Sequence, residues 1–184
     1  VTGVQTCALP IFPTGSSGII DIYAGVAGDP TIGFVTPVFA VQGGCNAVDA
    51  IGMIVAVRLV DRDLFNRLIQ PGETEQTAET YLIRANGPDV EYLSPLKDGS
   101  APLQRRLDRS TPNLADAFVL ESAGGFSAAR VDYAGTAVLV SGRPLAAVPW
   151  TLVRKVQTVE ALAESTSRQR TLLTTFLLVI VGVR

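Results

Sequence analysis

Apolar residues fall in short runs cut by Gly, Pro and polar clusters, a rhythm that predicts strands joined by tight turns more often than helices. From Phe12 to Asp29 the chain is rich in Gly and Ser, with one short apolar run, GIIDIY at 18–23. Ile32–Val41 (IGFVTPVFAV), rich in β-branched and aromatic residues, predicts a strand, and Gln42–Asn46 (QGGCN) its turn. Ala50–Val60 (AIGMIVAVRLV) is almost continuously apolar and predicts a second strand, central in its sheet. The two form an antiparallel hairpin. Asp61 is placed to cap a short helix reaching Gln70. Asp63 falls in its first turn, and Leu64, Phe65, Leu68 and Ile69 share one face. Pro71–Gly72 ends it, and the polar stretch to Thr77 predicts a linker at 71–77 between a first unit, 12–70, and a second, 78–157.

The second unit opens with a strand at Glu79–Ala85 (ETYLIRA), an Asn86–Gly87 turn, and an answering strand at Val90–Leu96 (VEYLSPL). A charged segment, Lys97–Arg109, follows. A helix is then signalled by Thr111 as cap and Pro112 at its first position, with Leu114, Ala117, Phe118 and Leu120 apolar. Three more strands are expected at Gly125–Tyr133, Thr136–Arg143 and Val148–Val156, turned by Ala134–Gly135 and Gly142–Pro144. Five strands and a helix in about 80 residues suffice for a small α+β domain with one core.

The ends differ from the body. A helix is expected from Thr158, with Glu160 in its first turn, and no Pro or Gly interrupts Val159–Val181, roughly 34 Å of rod. Thr171–Val183 (TLLTTFLLVIVGV) carries no charge. A spanning helix needs about 20 such residues, so the run reads as a transmembrane helix cut short, within a signalling segment 158–184. Val1–Ile11 (VTGVQTCALPI) resembles the translation of a sequencing adapter and has no strand or helix period, so it is set aside from the fold.

Composition narrows the chemistry. Among 184 residues, 15 Lys+Arg face 17 Asp+Glu for a net charge of −2, which supplies no basic stripe for nucleic acid. The absence of histidine removes a Ser-His-Asp triad, a Cys-His dyad and any His-ligated metal site. Gly15–Gly18 (GSSG) and Gly124–Gly125 lack the lysine of a phosphate loop and read as turns, and no spacing suits a metal or calls for a cofactor. With Cys7 set aside, Cys45 has no partner for a disulfide and reads as a loop thiol rather than a nucleophile. Asp61 and Asp63 read as helix-start carboxylates rather than an acid–base pair. At 47% hydrophobic and 17% charged, with a mean hydropathy of +0.33, the chain is greasy for a soluble domain, in keeping with a membrane segment.

The run ETYLIRANG at 79–87, then VEYLSPL, VDYAG and TAVLVSGRPL at 131–145, and VPWTLVRKV at 148–156 resemble the membrane-proximal half of a double Cache sensor domain. This is the PAS-like extracytoplasmic module of bacterial receptors. The first unit, with GFVTPV at 33–38 and Gly52–Val60, is similar to the closing strands of the membrane-distal half. The resemblance implies an α+β fold, a PAS-like antiparallel sheet with flanking helices, followed by a long helix entering the membrane. It implies a non-enzymatic sensory fragment, periplasmic and anchored in the bacterial inner membrane, that works as a homodimer. The missing parts would be an upstream span and distal lobe, and a kinase, cyclic-dinucleotide or chemotaxis output downstream. In a PAS-like sheet Tyr81, Arg84, Tyr92, Arg130, Asp132 and Tyr133 would face one cleft able to take an amino acid or a carboxylate-like small molecule. Arginine would meet a carboxylate, aspartate an amine, and tyrosines would wall the site. The alternative is that the tyrosines pack the core by their rings while Arg130 and Asp132 pair at the surface. Trp150 similarly fits either a membrane-interface anchor or the core. Two other readings of the whole chain stay open: a membrane-anchored adaptor without ligand, and a soluble hydrolase fragment.

Overall fold

The computed structural model describes residues 16–39, 50–61 and 63–163, with 169, 172 and 174 beyond them. The first unit is a three-stranded antiparallel meander of β1 (Gly18–Ala24), β2 (Pro30–Phe39) and β3 (Ala50–Leu59), paired in that order. The second is a six-stranded antiparallel sheet. Its strands are β4 (Glu79–Asn86), β5 (Asp89–Tyr92), β6 (Arg106–Asp108), β7 (Gly125–Val131), β8 (Ala137–Pro144) and β9 (Thr151–Gln157), in the order β6-β5-β4-β9-β8-β7. The last strand of the chain thus lies at the centre, between β4 and β8.

Alternation assigns the two faces of this sheet. Tyr81, Ile83, Val90, Tyr92, Val138, Val140 and Val153 point to one side, where helix α1 (Ala115–Glu121) covers them with Leu114, Ala115, Ala117 and Val119. Leu82, Leu93 and Leu152 point to the other side and pack with Trp150 against Ile22, Val60, Phe65, Leu64 and Leu68 of the first unit. Asp21 of β1 pins this joint. It accepts the Trp150 indole N–H and pairs with Arg84 at 2.7 Å, while Arg84 also donates to the Ile22 carbonyl at 3.1 Å. Trp150 is therefore a buried joint residue.

α1 sits so close to β8 that a side chain at Gly142 would occupy the space of the Val119 isopropyl group. Gly142→Ala is expected to destabilise the protein by about 1–3 kcal/mol, read by urea denaturation, because helix and sheet must part to admit one methyl.

Several local expectations are revised. Among the described residues β3 lies at the edge of its sheet rather than centrally, and Ile51, Ile54 and Val57 are 68%, 59% and 59% exposed. An open apolar groove of about 310 Å³ runs over β1–β3, lined by Ile19, Phe34, Ile54 and Ala56 among others, with no titratable group. The expected helix at 61–70 is only a 3₁₀ turn, Phe65–Leu68. The turn starts behind Leu64 rather than behind a capping Asp61, Asp63 pairs with Arg58 at 2.5 Å, and Ile69 faces solvent. α1 starts three residues after the expected Pro112, because Asn113 adopts a left-handed φ of 59° and Leu114 bridges to Val131. β5 ends at Tyr92, ahead of Pro95, and β9 begins at Thr151, after a turn closed by Leu145 N–H on the Trp150 carbonyl. β6 lies inside the charged segment Lys97–Arg109, where no strand was expected. The QGGCN turn with Cys45, residues 1–11, and most of the apolar segment at 171–183 lie outside the described residues. Among the described residues, no helix is long and apolar enough to cross a membrane.

Candidate functional site

Between α1 and the six-stranded sheet lies a buried polar cluster built on three tyrosines. The Tyr81 and Tyr92 rings are tilted at 35° with centroids 5.9 Å apart, and Tyr133 stands edge-on to both, at 5.9 and 5.6 Å. Such geometry sets ring edges against ring faces. The hydroxyls of Tyr81 and Tyr92 both donate to Asp116, at 2.6 and 2.5 Å, from the first turn of α1. Burial pushes the Asp116 carboxyl above its ordinary range, against the pull of these two hydrogen bonds. Burial likewise raises both phenols, with the Asp116 charge adding to it.

The second half of the cluster centres on Lys155. Period two in TLVRKVQ turns Thr151, Val153 and Lys155 to the α1 side, and the ladder sets Lys155 directly opposite Glu79. Its ammonium lies 2.5 Å from Asp132 Oδ2, 3.1 Å from Glu79 Oε2 and 3.6 Å from the Tyr133 ring centroid. Neither carboxylate depends on the lysine alone. Asp132 Oδ1 accepts the backbone N–H groups of Ala134 and Thr136, both at 2.9 Å, in the turn that reverses β7 into β8. Glu79 accepts the Lys97 N–H at 2.7 Å and the Tyr133 hydroxyl at 2.6 Å. Arg105, paired with Asp98 at 2.5 Å, lies over the Tyr133 ring, 4.9 Å from its centroid, and donates to the Tyr133 carbonyl at 2.9 Å.

Of the six residues expected to share a cleft, Tyr81, Tyr92, Asp132 and Tyr133 come together here. Arg84 does not: one residue out of phase with Tyr81 and Ile83, it points to the opposite face and meets Glu91, Asp21 and the Ile22 carbonyl. Arg130 does not either; its guanidinium stacks on Phe118, 4.6 Å from the centroid, and Asp132, 6% exposed, pairs with Lys155 rather than with it at the surface. Glu79, Asp116 and Lys155 were not among the expected residues. Glu79 and Lys155 carry a usable signal, since each lies two residues from an inward-facing neighbour, Tyr81 and Val153. Asp116 carries none, because α1 starts later than its apparent cap.

No family model matches the chain, and no curated protein does. Solved structures do match. The extracellular domain of mmHK1S-Z2, a protein assigned as a histidine kinase, aligns with a TM-score of 0.55 over 84% of this chain at 15% identity. That of mmHK1S-Z3, assigned alike, aligns with a TM-score of 0.55 over 86% at 16% identity. The fold is PAS-like, an antiparallel sheet with a flanking helix. The chain spans 55% of the length of each of these two structures.

Proposed function

We propose that this chain is the extracytoplasmic sensory part of a bacterial transmembrane receptor, its second unit passing a signal to a helix that enters the inner membrane. The fold likeness to extracellular domains of two proteins assigned as histidine kinases carries the reading. Two features of the exit support it. β9 runs straight into helical residues 158–163. Glu160 there accepts the backbone N–H groups of Gln76 and Thr77 at 2.7 and 2.8 Å, together with the Thr77 hydroxyl. The linker between the units is thereby tied to the departing helix, so a shift of one unit against the other bears directly on it. Sensing of a small molecule, dimerisation through the exit helix and a kinase, cyclase or chemotaxis output belong to the same proposal, as does a fragment that performs no catalysis itself. Ligand contact at Tyr81, Tyr92, Asp132 and Tyr133 would require displacing the Lys155 ammonium.

The test uses the gene in its natural reading frame, with alkaline phosphatase inserted after Arg170. The phosphatase works only after export, so high activity is expected, and an inactive fusion of normal abundance would overturn the extracytoplasmic reading.

A further inference from the structure

We infer that Lys155 is a tethered ligand. Its ammonium fills a primary-ammonium site formed by Asp132, Glu79 and the face of Tyr133, which closes the second unit to outside ligands and locks β9 to β4 just before the chain leaves at residue 158.

The arrangement has the parts of a binding site rather than of a surface ion pair. Lysine and both carboxylates are about 5–6% exposed. A buried charge is tolerated only when its partners solvate it, and here two carboxylates and a ring face surround the ammonium. The acceptors are held in place by groups other than the lysine: two turn N–H groups on Asp132, and the Lys97 N–H and Tyr133 hydroxyl on Glu79. The cage therefore keeps its shape when the lysine stem is cut. The stem reaches it along the wall shared with Val153 and Val140, the latter directly opposite Lys155 on β8. Preorganised acceptors, reached by a straight four-carbon stem lying beside buried Val140 and Val153, define the ligand class as an unbranched primary alkylammonium.

Lysine supplies its own measuring probe. Lys155→Ala removes three carbons and the nitrogen, the heavy atoms of n-propylammonium. In the full chain this variant is expected to melt on the order of 10 °C below wild type, because it leaves two buried carboxylates without their cation. n-Propylammonium chloride should restore the melting temperature progressively with concentration. Methylammonium and n-pentylammonium should do less, and tetramethylammonium and 1-propanol nothing beyond their effect on wild type. Wild type itself should be indifferent to all of them. A variant equally indifferent, or a response shared by every salt, would overturn the ammonium site. A wild-type shift with n-propylammonium would overturn the closure.

Should Lys155→Ala fail to fold, Lys155→Cys in a Cys7→Ser, Cys45→Ser background provides the second reading. Alkylated while unfolded with bromoethylamine, it regains an ammonium; with propyl iodide it regains volume alone. The aminoethyl adduct is expected to refold to the wild-type near-ultraviolet circular dichroism and the propyl adduct is not. Equal refolding of both, or failure of the aminoethyl adduct, overturns the inference. The part played by the exit helix rests on the sensor reading, whereas these measurements address the cage alone. A failed phosphatase fusion and a failed rescue are therefore independent results.

Discussion

Asp116→Ala is expected to cost about 2–6 kcal/mol, the sum of two buried hydroxyls at about 1–3 kcal/mol each left without an acceptor. Tyr81 and Tyr92 are fully buried, both donate to this one carboxyl, and Asp116 is itself fully buried, so water cannot replace it without opening α1 from the sheet. Asp116→Asn keeps one acceptor oxygen and should cost less. Replacing all three together, Tyr81→Phe, Tyr92→Phe and Asp116→Leu, should recover most of the loss, because no polar group then remains to be satisfied. Urea denaturation of the three variants distinguishes this from simple cavity formation, which would make the triple variant the worst. The pH dependence has a definite sign. Burial raises the carboxyl, so its contribution is fully present below the unfolded value of about 3.9 and is lost as pH rises through the raised value. The stability difference between wild type and Asp116→Asn should therefore shift against wild type as pH climbs through that window.

The strands that build this site were legible wherever a turn residue and a period coincided. Asn86–Gly87 marks the β4–β5 turn, with Gly87 at a φ of 59°, and alternation from Tyr81 to Ile83 and from Val90 to Tyr92 gives the inward face. The same alternation places Arg84 on the other face, where it meets Glu91 and Asp21. Lys155 and Glu79 show a deeper limit. Alternation places both on the inward face but does not say what stands opposite, and Glu79 lies 76 positions away from Lys155 along the chain yet directly across the ladder. The same limit shows at β3, where continuous apolar character suggested a central strand. Burial of a strand depends on neighbours, and the described neighbour, β2, covers only one edge. At 61–70 the apolar spacing suits a helix, but Phe65, Leu64 and Leu68 are satisfied by packing on the second unit as a single 3₁₀ turn. Tertiary contact outweighed local preference there.

Glu91→Ala should lower stability by about 3 kcal/mol, at the lower end of what removing one partner from a buried ion pair costs. Glu91 is 1% exposed on the face away from α1, where Arg84 reaches it at 2.7 Å and Arg106 at 2.5 Å. Arg106 is about half exposed and can turn to solvent, so most of the loss falls on Arg84, which is 19% exposed. Arg84 is also the residue that grips Asp21 and the Ile22 carbonyl, so the variant should loosen the joint between the units as well as the sheet. Hydrogen exchange at β1 amides should quicken more than at β8 amides, whereas damage confined to the sheet would affect β8 as much. Acid separates this site from Asp116. Burial pushes Glu91 up, but the hydrogen bonds from Arg84 and Arg106 outweigh it and hold the carboxyl below its ordinary range. Its stabilisation is therefore present above the unfolded value of about 4.3 and lost as pH falls through the depressed one. The gap between wild type and Glu91→Gln should narrow on acidification, the opposite of the Asp116→Asn trend. If both gaps moved the same way with pH, at least one of the two carboxylates would be held by something other than the partners named here.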